Sequence, residues 1–171
     1  MASWYSIAVC FQYFYNNTDC NLVDILIISG SHRTNSSSFN VAKLIEKQID
    51  AQFNAKMSTK LLNLHDYPLL LEHYGSEQPF SRALQAQKEQ VLELMYQCDG
   101  IVFVTPEWGA MIPPALVNLL LLSARGSANG FPFAHKPALA VGVSATAGGS
   151  NPISLLKGYA AKNSHLCWLP C

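Results

Sequence analysis

Short apolar runs alternate with amphipathic stretches along most of the chain. Residues 25–29 (ILIIS) and 101–105 (IVFVT) are continuous apolar runs, which is typical of strands buried on both faces of a parallel sheet. Between such runs apolar residues recur at helical spacing, most clearly in residues 81–98, where Gln, Lys and Glu form the polar side. The pattern therefore predicts strands and helices in alternation.

Nine elements are predicted from this pattern. Strands are predicted at residues 25–29, 60–64, 101–105, 136–144 and 166–169, and helices at residues 39–53, 81–98, 113–124 and 151–162. Residues 65–79 hold Asp, Pro and Gly and are predicted to be a loop. Alternation of this kind implies a parallel sheet with right-handed crossovers and helices on both faces. Because the chain stops as the fifth strand begins, we expect either a fragment or a sheet with a weak far edge.

Composition excludes several classes of protein. The chain has 171 residues, the size of one domain, and its 11 Lys and Arg balance its 11 Asp and Glu. A net charge of zero argues against a nucleic-acid binder, which needs a basic surface. Charged residues are only 13%, so we expect much apolar surface to be buried in a thick core or at a subunit contact. No uncharged apolar run approaches the ~18 residues of a membrane helix.

The cysteines and the N-terminal residues indicate a cytoplasmic protein. The five cysteines form no C-x-x-C pair and no cluster with zinc spacing, so reduced thiols are predicted and no metal site. Residues 1–23 are aromatic and uncharged until Asp19, without the basic region of a signal peptide. We expect an irregular extension at residues 1–23 that can be deleted, followed by one domain at residues 24–171.

Ligands of open α/β sheets bind beyond the carboxyl ends of the strands, where three unusual loops are predicted. The first loop, residues 30–40 (GSHRTNSSSFN), combines hydroxyls and free amides at a helix start with Arg33, which favours a phosphate site. It has neither a G-x-x-x-x-G-K-[ST] nor a G-x-G-x-x-G pattern. The alternative is a Ser-rich loop that caps the helix.

The other two loops are more ambiguous. In residues 105–114 (TPEWGAMIPP), Trp108 offers a flat wall to a planar ring, although a Trp buried in the core is as good an interpretation. In residues 144–150 (SATAGGS), paired glycines allow backbone to approach a ligand closely, or simply form a flexible loop. No nucleophile, base and orienting group occur together, so no catalytic side chain is predicted. A phosphate anchor with a planar wall fits a cofactor that carries the chemistry, and a phosphorylated flavin is the natural candidate.

These three loops, in this order, are similar to motifs of the NAD(P)H-dependent FMN reductase family. The matching segments are GSHRTNSSS, TPEWGAMIPPALVN and KPALAVGVSATAGGS, and the resemblance covers residues 24–170. It implies a flavodoxin-like αβα sandwich with parallel strand order 2-1-3-4-5 and an incomplete fifth strand. It also implies FMN as cofactor, NADPH or NADH as co-substrate, and a homodimer or homotetramer.

The resemblance also implies roles for residues of this chain. The first loop would hold the FMN phosphate, the second would line the isoalloxazine, and the third would close the ring from the other side. The implied cofactor-binding residues are Ser31, Arg33, Asn35, Ser36 and Ser38, then Pro106, Glu107, Trp108 and Gly109, then Ser144, Gly148 and Gly149. Two family positions depart from the usual Lys and acidic residue, since Val117 and Leu121 stand there, which weakens the expected oligomer contacts.

The sequence is compatible with three functions. The first is an enzyme that passes hydride from NAD(P)H through FMN to a small acceptor such as a quinone, azo compound, metal oxyanion or free flavin. The second is a flavodoxin-like electron carrier without turnover, although carriers tend to be strongly acidic and this chain is neutral. The third is an inactive, truncated paralogue.

Overall fold

The computed structural model describes residues 22–53, 56–68, 81–124, 130–146, 148–163 and 165–169. The strands in this part of the chain are β1 Val23–Ser29, β2 Met57–Asn63, β3 Gly100–Pro106, β4 Pro137–Val143 and β5 Cys167–Trp168. The α-helices are α1 Ser37–Phe53, α2 Arg82–Gln97, α3 Pro114–Ala124 and α4 Ser150–Asn163, and a short 3-10 turn at Leu64–Asp66 follows β2. Every predicted element is confirmed, with bounds displaced by a few residues. Residues 1–21 and most of the predicted loop at 65–79 lie outside the described residues.

The strands form one parallel sheet in the order β2-β1-β3-β4-β5, as predicted. The central strand β1 lies between β2 and β3, with Ile27 opposite both Leu61 and Val102. The chain moves outward from β1 to β2 and then returns past β1 to β3. The strand order therefore reverses between β1 and β3, and the loops after these strands diverge to leave a crevice at the sheet edge.

Helices cover both faces of the sheet. On one face α1 packs through Ile45 and Ile49 against apolar side chains of the sheet that include Ile25 and Val102. On the other face α2, α3 and α4 surround a larger core, in which Phe103 and Phe133 meet with ring centroids 5.7 Å apart. The continuous apolar sequences of β1 and β3 are explained by burial on both faces.

The far edge of the sheet is short, which confirms the prediction of an incomplete fifth strand. β5 pairs with β4 only through Pro137 with Cys167 and Ala138 with Trp168. Beyond these pairs β4 continues to Val143, and its side chains Val141 and Val143 are half-buried on the α1 face.

Local interactions at both ends explain the bounds of α2. The Ser81 hydroxyl accepts a hydrogen bond from the Leu84 amide at 3.1 Å, which is an N-cap. At the other end Lys136 donates to the carbonyl oxygens of Met95 (2.6 Å) and Tyr96 (2.9 Å) and to that of Cys98. Carbonyls of the last helical turn have no partner within the helix, so this ammonium replaces solvent there. Burial raises the pKa of the Cys98 thiol to about 11.

Candidate functional site

The carboxyl ends of β1, β3 and β4 surround a cavity of about 440 Å³. Nine of the proposed site residues line it: Ser31, Arg33, Asn35, Ser36, Ser38, Pro106, Glu107, Trp108 and Ser144. Gly109, Gly148 and Gly149 do not line it. Thr34, Ser37, Val143 and Ala145 line it without having been singled out from the sequence, although each lies within or beside a quoted motif. The tertiary structure therefore brings the three loops together at one site.

The hydroxyls of the first loop are built into the start of α1. Ser31 and Ser38 are each 1% exposed, and the Ser36 and Ser38 hydroxyls lie 3.2 Å apart. The Ser36 hydroxyl also accepts from the Phe39 amide at 3.2 Å, so the helix-cap interpretation holds for this residue. Capping and lining the cavity are compatible, because a hydroxyl has more than one hydrogen-bonding position.

The backbone amides at this helix start belong to residues that line the cavity. The Arg33 amide donates to the Ser31 hydroxyl at 3.2 Å, and Asn35 has a left-handed φ of 52°. Among the described residues, no acceptor is found for the amides of residues 34–38, all of which line the cavity. Unpaired amides at a helix N-terminus bind anions, because the helix dipole places partial positive charge there.

The second loop is a tight turn that presents Trp108. Trp108 and Met111 exchange two backbone hydrogen bonds of 3.0 and 3.1 Å. Both residues between them have positive φ, 57° for Gly109 and 64° for Ala110, which is the conformation of a type I′ turn. Glycine adopts this conformation without strain, so Gly109 has a conformational role although it lies outside the cavity lining.

Trp108 lies at the cavity and not in the core. The residue is half-buried and belongs to neither buried cluster. Its ring packs against the His32 ring with centroids 4.8 Å apart, and the guanidinium carbon of Arg33 lies 4.3 Å from its centroid. His32 is held in turn by His65, whose Nδ1 lies 3.0 Å from the His32 carbonyl oxygen. The guanidinium therefore lies where the hydroxyl-rich end of the cavity meets its aromatic wall.

Glu107 joins the second loop to the third. Its amide donates to the Val143 carbonyl oxygen at 2.8 Å, and its carboxylate accepts from the Ala110 amide at 3.2 Å and from the Ser144 hydroxyl. A Cβ placed on Gly148 would collide with both carboxylate oxygens. Sequence reasoning assigned Glu107 only to the ring wall and missed these contacts, since no local pattern signals them.

Close packing explains the glycines at Gly148 of the third loop and Gly142 of β4. Besides the contact of Gly148 with Glu107, a Cβ placed on Gly142 would collide with the Gly149 carbonyl oxygen. The β4–α4 connection can therefore return close to β4 only because these positions carry no side chain.

Among the described residues, no group of three or more His, Cys, Asp or Glu side chains could hold a metal ion. No described helix is both long and apolar enough to cross a membrane.

A family comparison decides the class of the protein. The sequence profile described as NADPH-dependent FMN reductase matches residues 23–167. The chain belongs to this family. The reductase is accordingly an NAD(P)H-dependent oxidoreductase, with FMN as cofactor and NAD(P)H as co-substrate.

Solved structures agree on the fold. An oxidoreductase from Corynebacterium diphtheriae superposes with a TM-score of 0.69 at 16% identity, covering 88% of this chain and 80% of that chain. FerB, a flavoenzyme NAD(P)H:(acceptor) oxidoreductase from Paracoccus denitrificans, gives 0.61 at 16% identity and covers 88% and 76%. An apo NADH:FMN oxidoreductase gives 0.57 at 19% identity and covers 85% and 71%. At these identities the likeness shows the fold alone. The curated proteins contain no significant match.

The cavity of this reductase suits FMN. Its volume of about 440 Å³ falls in the usual range for ligand sites, roughly 300–1,000 Å³. One end has unpaired amides and buried hydroxyls, which match a phosphate, and the other has the half-buried indole of Trp108, which matches a planar ring. The residues present therefore fit the cofactor of the family.

Proposed function

We propose that this reductase holds FMN across the three loops and passes electrons from NAD(P)H to a quinone, azo compound, metal oxyanion or free flavin. The observation that carries the proposal is a single cavity, at the reversal of strand order, that joins a donor-rich end to an aromatic wall. FMN, when bound, supplies the two-electron chemistry.

The first loop would bind the phosphate. Ser31, Ser36 and Ser38 contribute hydroxyls, and the amides of residues 34–38 contribute N–H donors at the positive end of the α1 dipole. Arg33 adds a permanent positive charge at the cavity rim, and Asn35 fixes the turn through its positive φ. Binding by prearranged donors orients the cofactor at little entropic cost.

The second and third loops would enclose the ring. Pro106 and Trp108 would line one side of the ring, with Gly109 shaping the turn that presents Trp108. Ser144 would line the other side, on a loop whose close return Gly148 and Gly149 would allow. The cavity lining contains a single carboxylate, Glu107, and no His, Cys or Lys among its described residues. Because Ser144 and the Ala110 amide already engage that carboxylate, the side chains of this site contribute binding and positioning.

The visible spectrum of purified protein tests the proposal. We expect protein mixed with FMN and desalted to show a flavin spectrum, which NADPH or NADH bleaches without oxygen and a quinone or azo dye restores. Comparing acceptor rates under the same conditions then ranks the four acceptor classes. A protein that retains no FMN, or a bound flavin that neither nicotinamide bleaches, would overturn the proposal in favour of an inactive paralogue or an electron carrier.

We further propose a homo-oligomer in the cytoplasm. Val117 and Leu121 of α3 lack the charges of the contacts usual in the family, but these half-buried side chains and the exposed Met111 beside the site offer apolar surface to a second copy instead. The described cysteines, Cys98 and Cys167, are free thiols, which supports a reducing compartment. Light scattering during gel filtration tests the oligomer, and a monomeric mass at micromolar concentration would contradict it.

A further inference from the structure

Glu107 connects two loops through both its main chain and its side chain. Its amide is bonded to the end of β4, and its carboxylate accepts from the Ser144 hydroxyl and from the Ala110 amide. The Ser144 hydroxyl also accepts from the Thr146 amide at 3.1 Å, so the third loop is organised around the same hydroxyl. One carboxylate thus fixes the turn that contains Ala110 and the loop that begins at Ser144.

The charge of Glu107 argues against direct contact with the phosphate. A carboxylate repels an anion, and the donors of the cavity lie in the first loop instead. Both carboxylate oxygens already accept hydrogen bonds from the protein. Glu107 therefore affects the site indirectly, through the Ala110 amide and the Ser144 hydroxyl that its carboxylate holds in place.

We propose that Glu107 is a positioning residue that fixes the β4–α4 loop against the β3–α3 loop, with Gly148 providing the space for its carboxylate. The next residue, Trp108, is held by His32 and Arg33 of the first loop. Residues 107 and 108 consequently link all three loops and set the width of the ring end of the cavity. The consequence for flavin binding rests on the proposed function, whereas the link between the loops does not.

Gly148 makes the proposal testable without removing Glu107. The atoms that a Cβ on Gly148 would meet belong to the end of a flexible side chain, and Gly148 does not have a positive φ. Gly148→Ala should therefore displace the carboxylate and leave the backbone in place. We expect Gly148→Ala to have the same effect on the two loops as Glu107→Ala, and the double variant to show no additional effect.

The experiment measures hydrogen exchange in FMN-free protein. The variants are Glu107→Ala, Glu107→Gln, Gly148→Ala and the double variant Glu107→Ala with Gly148→Ala. Gly158→Ala is the matched control, because a Cβ on this α4 glycine meets nothing within 4 Å. We expect about tenfold faster exchange in peptides covering residues 107–111 and 143–146, the effect of losing one charge-assisted hydrogen bond, and unchanged exchange in β1 and α2.

The pattern across variants separates positioning from general stability. The double variant should exchange no faster than either single variant, and Glu107→Gln, which keeps one acceptor oxygen, should be intermediate. Unchanged exchange at residues 143–146 in Glu107→Ala, additive effects, or an equal response in the Gly158→Ala control would overturn the proposal. If Glu107→Ala does not fold, Ser144→Ala removes the donor to the carboxylate together with the acceptor of the Thr146 amide, so exchange in the peptide covering residues 107–111 decides.

Flavin affinity provides the second measurement. Glu107→Ala should weaken the binding of FMN and of riboflavin by the same factor, because the two loops that Glu107 connects would contact the flavin ring and not the phosphate. A loss confined to FMN would overturn this assignment. If the wild-type protein binds neither flavin, the proposed function fails, and the exchange data still decide whether Glu107 links the loops.

Discussion

Arg33→Ala tests the orientation of the flavin. The guanidinium carbon lies 4.3 Å from the Trp108 ring centroid, at the boundary between the donor-rich end and the aromatic wall. FMN and riboflavin share the ring and differ in the phosphate. If the phosphate lies at the start of α1, as we propose, removing this cation should weaken FMN and leave riboflavin nearly unchanged.

The expected magnitude follows from two opposing contributions. A charge-assisted hydrogen bond to the phosphate contributes ~1.5–3 kcal/mol. Moving an exposed guanidinium away from an aromatic ring costs ~0.5–1 kcal/mol. The difference, about 0.5–2.5 kcal/mol, corresponds to an increase of roughly 2- to 60-fold in the Kd for FMN. For riboflavin only the indirect effect through Trp108 remains, which we expect to stay below about twofold.

Flavin fluorescence titration measures both constants. Arg33→Lys is the control, because an ammonium retains the charge without the planar fork and should give an intermediate loss for FMN. Equal weakening of FMN and riboflavin in Arg33→Ala would refute the reasoning. The stack on Trp108 would then be the function of Arg33, and the phosphate would have to lie elsewhere.

Three further predictions concern the site, a thiol and the N-terminal residues. Trp108→Ala should raise bound-flavin fluorescence and weaken FMN binding by ~0.5–1.5 kcal/mol, whereas Trp108→Tyr should be nearly neutral. The circular dichroism of the Ala variant should be unchanged because the ring lies outside the core, and an unfolded variant would contradict the assignment. Because burial raises the pKa of Cys98 from 9.0 to about 11, iodoacetamide at pH 8 should modify the exposed Cys167 and spare Cys98, as mass spectrometry would show. The contribution of the protonated Cys98 thiol to the free energy of unfolding should be fully present below pH 9.0 and fall as the pH rises toward 11. The segment expected to be dispensable, residues 1–23, overlaps β1, whose first residue Val23 is buried, so the deletion to test is residues 1–21. It should leave flavin uptake unchanged, and insoluble protein would show that the segment is needed for folding.

The elements of this fold could be predicted from local pattern. Continuous apolar runs identified β1 and β3, because strands covered on both faces have no polar side to alternate with. Helical periodicity located α2, and the structure then showed that Ser81 is its N-cap. The strand order came from the resemblance to a family, since periodicity does not say which strands are neighbours.

The three loops of the site could also be predicted to meet, because the carboxyl ends of parallel strands lie along one edge of a sheet. Their residue types indicated an anion and a planar ring, and Ser36 showed that one hydroxyl can both cap a helix and line a cavity. The same reasoning could not choose between a core position and a cavity position for Trp108. That choice depends on whether neighbouring loops cover the ring.

Contacts between loops were decided only by the tertiary structure. Glu107 and Ser144 are 37 positions apart, and their bond exists because β3 and β4 are adjacent and in register at Pro106 and Val143. Gly148 looked like part of a flexible loop, yet its lack of a side chain admits a carboxylate from another strand. Local sequence fixes backbone preference over a few residues, whereas a side chain's partner depends on which distant segment the packed sheet places beside it.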